Sequence, residues 1–276
     1  MSYQWDNGIW LPSPGIPLTD RGFRHGMSAF ETLAIHRGRF VFLTQHLEKL
    51  RVSCASLGLR EPPDPASFSF LTDQLDSFTI ARLYVTAGDG TFRSPLDQGR
   101  VFLTCATTPA SSQASEASGS LPRSLSIASQ VHHSVWPGLK TGNYWPNITA
   151  YRHAADLQSD EMVLVNSDNH VLSASLANLF AVIDGELLTP RTAGGARAGV
   201  LRDWVLANEE VIITNFHPGQ LREAGEIFLT SSGYGIAPIA TLEGKPLASR
   251  QRGERLRAIY LDWLENAPST GVATDL

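Results

Sequence analysis

The stretch WPGLKTGNYW (136–145) sets one lysine, Lys140, among apolar and small neighbours. A lysine that sheds its proton in such surroundings is a nucleophile and a general base. Two other stretches suggest anion-binding backbone. GGARAGVLRDW (194–204) runs a glycine-rich loop into the first turn of a helix, where N–H groups at Gly199 and Val200 favour a negative group. TSSG (230–233) offers hydroxyls and permissive backbone between two strands, with Ser231 and Ser232 at its centre. Each of the two, taken singly, is also what an ordinary turn looks like. Other chemistries lack their parts. No GxSxG elbow serves a serine nucleophile, no GxGxxG follows a strand, and no Walker lysine is present. His132 and His133 are adjacent and tend to point apart, with no cysteine or carboxylate pattern nearby, so no metal is expected.

The elements that must position these residues are readable from periodicity. FETLAIHRGRFVFL (30–43) is a hairpin turning at Gly38, and TQHLEKLRVSCASLGL (44–59) is an amphipathic helix with Thr44 as its cap. Leu47, Leu50, Cys54 and Leu57 form its apolar stripe and Gly58 its end. ARLYVTAG and RVFLTCAT add strands, giving the first part α+β character rather than βαβ repeats. In the second part NITAYRHAADL is helical and EMVLVNS is a strand. LFAVIDGELLTP is a hairpin on Asp184-Gly185, VLRDWVLANEE is a helix, and EIFLTSSGYGIAPI makes two strands around a loop. The expected architecture is α/β: a small N-terminal α/β domain (1–110), a Ser/Ala/Pro/Gly-rich linker (111–123), and a larger domain (124–276). That larger domain is expected to be mostly antiparallel and barrel-like, with flanking helices.

Composition sets outer limits. At 276 residues with 42% apolar and 18% charged side chains, the chain has material for a full core. A net charge of -5 with no basic block disfavours nucleic acid as a partner. Cys54 and Cys105 lie in apolar runs and read as core thiols of a reducing compartment. The opening MSYQWDNGIWLPSPG is unlike a signal peptide, and no apolar run is long enough to span a membrane. A cytoplasmic location is expected.

Five blocks in order resemble the fold-type IV pyridoxal-phosphate enzymes, the class-IV aminotransferase family. This group includes branched-chain and D-amino-acid aminotransferases and 4-amino-4-deoxychorismate lyase. The blocks are DRGFRHGMSAFETLAIHRGRFVFLTQHLEKL, LKTGNYWPNITA, NLFAVIDGELLTP, AGVLRDWVL and EIFLTSSGYGIAPI, together covering most of the chain. The resemblance implies pyridoxal 5′-phosphate as cofactor, attached covalently to Lys140. It implies that Tyr144 meets the cofactor's O3′, that Gly199, Val200 and Ser232 form a phosphate cup with Ser231 beside it, and that Asn178 lies near the cofactor face. Glu31 and Arg82 become substrate-side residues, Arg82 facing a carboxylate. An amino-acid-type substrate and a homodimer are implied as well.

Two positions depart from the family pattern. Lys49 stands in HLEKL where an arginine usually grips the phosphate, keeping the charge but not the bidentate fork. Arg51, two residues along the helix, faces away and is a poor substitute. Ser173 stands in HVLSASLANLF where a glutamate usually holds the pyridine nitrogen protonated, and Glu161 lies too far back to replace it. A weaker electron sink favours elimination over transamination. TSSGYGIAPI and GMSAFETL also resemble the lyase's own blocks, so the expected activity is that of 4-amino-4-deoxychorismate lyase. The alternatives are an aminotransferase for D-amino or branched-chain acids and a degenerate homologue with impaired cofactor chemistry.

Overall fold

The computed structural model describes residues 1–71, 79–107, 121, 123–132, 136–266 and 273–274. Most of the expected linker 111–123, and His133, lie outside the described residues. In chain order the elements begin with β1 (Ser2–Asp6), β2 (Ile9–Pro12), α1 (Arg21–His25), β3 (Ser28–His36), β4 (Arg39–Val41), α2 (Leu43–Leu57), β5 (Ile80–Thr86) and β6 (Val101–Ala106). Then follow β7 (Ser124–Val131), α3 (Trp145–Asp156), β8 (Glu161–Val165), β9 (Val171–Ala174), β10 (Asn178–Ile183), β11 (Glu186–Thr189) and α4 (Val200–Asn208). The chain closes with β12 (Ile212–Ile213), α5 (Pro218–Arg222), β13 (Glu226–Ser231), β14 (Gly235–Pro238), β15 (Thr241–Leu242), β16 (Lys245–Pro246), α6 (Gln251–Asn266) and β17 (Ala273–Thr274).

Contacts divide the chain into two compact units. One comprises Met1–Ala110, Leu139–Asn143 and Ala267–Leu276; the other comprises Ser111–Gly138 and Tyr144–Asn266. The five residues around Lys140 thus pack with the first unit, although the sequence reading sets them in the second. The cause is backbone pairing: Phe30 donates its N–H to the Lys140 carbonyl at 3.0 Å, and Gly142 donates to Ser28 at 2.9 Å.

The first unit is a seven-stranded sheet in the order β17-β4-β3-β5-β6-β1-β2, antiparallel except for β17 on β4. Helix α2 covers one face. Its Leu43, Leu47, Leu50 and Cys54 join Ala29, Leu33, Ala81, Leu83, Val101 and Leu103 in one buried cluster. The turn Arg37-Gly38 carries φ of 48° and 70°, the left-handed pair that matches a two-residue hairpin. Thr44 is not the helix cap. Phe42 takes that place at φ 57° with no side-chain hydrogen bond, because the chain passes from β4 into α2 while burying Phe42 and Leu43. The β1–β2 hairpin is an addition to the expected elements, although its Asn7-Gly8 turn, with φ 46° and 89°, is a strong turn dipeptide.

The second unit has two five-stranded sheets, β12-β11-β10-β13-β14 and β16-β15-β7-β8-β9. Leu125, Val163, Val171 and Ala174 of one meet Leu179, Ala181, Ile227 and Leu229 of the other in a shared core, giving the curled, half-barrel form. Most pairings are antiparallel. The pairs β11–β12, β15–β7 and β7–β8 are parallel, and in the last of them α3 forms the crossover between the strands. Among the described residues no helix is long and apolar enough to cross a membrane.

Cys54 and Cys105 are unpaired buried thiols, as expected for core cysteines. Burial pushes them up, to about 12 at Cys54 and about 11 at Cys105. Native protein at about pH 8 is therefore expected to resist iodoacetamide and to react at both cysteines only after denaturation. Rapid labelling of the native protein would contradict this packing.

Candidate active site

Lys140 belongs to a short extended segment lying along the first half of β3, with a bridge between Ala29 and Thr141. The TGN that follows is fitted to this contact. A Cβ on Gly142 would stand 2.3 Å from the Ser28 hydroxyl, and one on Gly26 2.3 Å from Asn143 Oδ1. Asn143 in turn donates to the Gly26 carbonyl at 3.3 Å. The lysine's Nζ donates to Thr32 Oγ1 at 3.2 Å and stands 4.6 Å from the centre of the Phe30 ring. It is half-buried.

Residues alternate across a strand, so Phe30 and Thr32 share one face of β3 and Glu31 takes the other. Arg82 pairs with Thr32 and Tyr84 with Phe30 across β5, which brings Arg82 to the lysine's face. The Phe30 and Tyr84 rings stack at 5.6 Å. Burial raises the Tyr84 phenol while the adjacent Arg82 guanidinium, charged and hydrogen-bonded to it, pulls it down. Glu31 goes elsewhere. It points toward α2 and meets His46 Nδ1 at 2.9 Å, both side chains almost wholly buried. It is not a solvated strand carboxylate. Lys49 is half-buried on α2, one turn beyond His46, and Arg51 pairs with Asp64 at 3.0 Å.

The second unit gathers the remaining candidates. Helix α4 begins at Val200 with Gly199 as its cap and no side-chain cap, so its first N–H groups face outward as an anion site would have them. Asn178 Nδ2 donates to the Arg197 carbonyl at 2.6 Å and fixes the glycine loop. A Cβ on Gly199 would fall 2.2 Å from Asn178 Oδ1, which explains the glycine there. Thr230, opposite Asn178 on β13, has a buried hydroxyl without a hydrogen-bond partner among the described residues. Ser231 Oγ accepts from the Gly233 N–H at 3.2 Å and so shapes the loop, with Ser232 at its turn. Tyr144 precedes α3 as its cap residue. Ser173 lies on β9, half-buried, opposite Leu164. These features fit a phosphate monoester: uncapped helix N–H groups, a loop that only glycine permits, and a buried unpaired hydroxyl.

One group has no role in the sequence reading. Glu161, 1% exposed, accepts from the Ser175 hydroxyl at the turn joining β9 and β10. Burial pushes it up to about 7, against the Ser175 hydroxyl and the nearby N–H groups of Leu176, Met162 and Ser175, which pull it down; its Oε1 is buried without a hydrogen-bond partner among the described residues. A carboxyl raised from about 4.5 in the unfolded chain binds its proton more tightly when folded, so it contributes stability fully below about pH 4.5, and loses that contribution as pH rises through about 7. Glu161→Gln is therefore expected to flatten this decline, by about 3 kcal/mol across the window, when unfolding free energies of both proteins are compared by denaturant titration. Parallel pH profiles would remove Glu161 as the source.

The amino-transferase class IV family matches residues 28–242. The chain is 26% identical over 249 residues to aminodeoxychorismate lyase of Vibrio harveyi, covering 86% of this chain and 90% of that protein. It is 24% identical over 255 residues to a D-alanine aminotransferase of Listeria monocytogenes, covering 86% of each. Among solved structures, the branched-chain aminotransferase of the thermophilic archaeon Thermoproteus uzoniensis, with norvaline, superposes at a TM-score of 0.81. It is 18% identical, over 95% of this chain and 94% of that one, and it shows the fold. The 4-amino-4-deoxychorismate lyase of Pseudomonas aeruginosa superposes at 0.77 and 25% identity, over 94% and 98%. With the lysine segment, the glycine cradle and the fold agreeing, the chain belongs to the amino-transferase class IV family.

Proposed function

We propose that this chain is a pyridoxal-phosphate-dependent aminotransferase for a small amino acid, with Lys140 as the residue that carries the cofactor. The observation that supports this most is the placement of the Lys140 amine, held by Thr32 over the Phe30 ring and on the same sheet face as Arg82. The bound cofactor supplies a conjugated ring that accepts the electrons left when a proton leaves the substrate's α-carbon. Lys140 moves that proton between the α-carbon and the cofactor's C4′ as a general base and acid. Thr32 orients the amine for the transfer. The Val200 N–H and the Ser232 hydroxyl hold the phosphate, Gly199, whose own N–H donates to the Arg197 carbonyl at 3.1 Å, shapes the loop with Ser231, and Lys49 adds charge. Tyr144 meets O3′, Asn178 keeps the glycine loop in place, and Arg82 offers its planar fork to the substrate carboxylate. Two copies form the working unit.

A lyase acting on aminodeoxychorismate is the second reading, and Ser173 favours it. A hydroxyl near the ring nitrogen leaves a weaker electron sink, which burdens elimination less because a leaving group carries the electrons away. One experiment separates these. The protein is reconstituted with pyridoxal phosphate, reduced with borohydride, and its labelled peptide mapped. Half-reactions are then followed with D-alanine, L-leucine, L-glutamate and aminodeoxychorismate. Label at Lys140 with keto-acid formation from an amino acid supports the aminotransferase, while aminobenzoate and pyruvate as the faster products replace it with the lyase. Label elsewhere overturns both.

A further inference from the structure

Glu161 is a buried carboxyl whose partners among the described residues are all neutral. The Ser175 hydroxyl and the N–H groups of Met162, Ser175 and Leu176 surround it. Tyr234 lies within electrostatic reach of it, and the Tyr234 phenol is buried without a hydrogen-bond partner among the described residues. No cation is among the described groups acting on Glu161. A carboxylate held in the protein interior without a cation is costly, and such groups either stay neutral or serve a positive charge that arrives with a ligand. The place it serves is specific. Ser175 lies in the turn between Ser173, which by resemblance stands at the ring-nitrogen partner's position, and Asn178, which holds the Arg197 carbonyl of the glycine loop. The segment that has no carboxylate of its own at Ser173 is thus bonded, two residues on, to a carboxylate reaching over from β8.

We propose that Glu161, acting through the Ser175 turn as a positioning residue, supplies the negative charge that Ser173 does not, and so holds a proton on the cofactor's ring nitrogen. Its counter-charge is the protonated ring. This rests on the pyridoxal-phosphate reading above and deepens it, because a protonated ring favours the proton shuttling of transamination over elimination. Pairing of β8 with β9 sets Leu164 opposite Ser173, and Glu161, three residues earlier on β8, reaches the segment through Ser175. The Tyr234 phenol remains neutral near pH 8, raised well above its usual range by burial and by Glu161.

The test is the 15N chemical shift of 15N-labelled pyridoxal phosphate bound to the whole protein at about pH 8, where Glu161 is mostly ionised. The wild-type ring nitrogen is expected to be protonated. Glu161→Gln, close in shape, is expected to lower the ratio of protonated to neutral ring by about tenfold, in line with a charge acting over several ångströms of protein. Circular dichroism and melting check that the variant folds. Should it not fold, Ser175→Ala cuts the hydroxyl link and is expected to shift the signal the same way. Glu161→Gln combined with Ser173→Glu, which returns a carboxylate to the strand, is expected to restore the protonated signal. A wild-type protein whose ring is neutral overturns the inference. An unchanged shift in the variant that folds, with label still at Lys140, overturns it alone and leaves the cofactor reading standing. A wild-type protein that takes no label at Lys140 removes both.

Discussion

Lys140→Ala is expected to abolish the borohydride-fixed label and to lower turnover by about 10²–10⁴-fold, the usual worth of a positioned proton carrier. The fold should survive the change. What docks the segment on β3 is backbone: the Phe30 N–H to the Lys140 carbonyl and the Gly142 N–H to Ser28, neither of which needs the side chain. Melting temperature should therefore stay close to wild type while activity falls. Cofactor binding should weaken without vanishing, since the loop at Gly199 and the start of α4 are untouched. Lys140→Arg makes a sharper control: the charge and the Phe30 contact remain, but a guanidinium does not give up its proton and cannot act as the base. Thr32→Val removes only the 3.2 Å hydrogen bond and should cost less than either. Turnover within a few-fold of wild type in Lys140→Ala would dismiss the lysine as the proton carrier.

The second large effect is steric. Gly199→Ala places a methyl 2.2 Å from Asn178 Oδ1, far inside contact distance. Asn178 cannot simply swing away, because its amide holds the Arg197 carbonyl at 2.6 Å. The backbone at Gly199, φ -73° and ψ 149°, suits any residue, so the clash and not conformational strain is the cause. Relief requires the loop to move, and with it the first N–H groups of α4. The expected cost is about 1–3 kcal/mol of stability, as for other overpacked sites. Affinity for pyridoxal phosphate should fall by about tenfold or more, which is about 1.4 kcal/mol or more of binding. Removing the obstruction with Asn178→Ala in the same chain should recover part of the stability, a non-additivity expected of touching residues. Denaturant titration and cofactor titration of the two single variants and the double variant measure both effects. Gly199→Ala that matches wild type in both would show that the loop is not built as described.

Local pattern was enough for the elements. Alternation marked β3 and β5, the apolar stripe marked α2, and Asp184-Gly185 marked the β10–β11 hairpin, whose φ of 53° and 85° are those the dipeptide favours. Order of motifs was enough for the family and for the choice of Lys140. These features are legible because each depends on neighbours in the chain: turn dipeptides on their own φ, a helix on residues three and four apart, a strand on every second residue.

What needed the third dimension was partnership. Sequence placed Glu31 beside the pocket, yet one step of alternation sends it through the sheet to His46 and leaves Thr32 to receive the lysine. Sequence divided the chain at a polar stretch, yet residues 139–143 pair with β3 across more than a hundred positions. Glu161 and Ser175 stand fourteen residues apart, with nothing in the sequence to join them, and become one buried polar pair only in the folded chain. Composition and period report what a segment is, since backbone propensity and apolar spacing are local. They are silent on what a polar side chain meets, because burial and hydrogen-bond partners are set by strand register and by which face a helix covers.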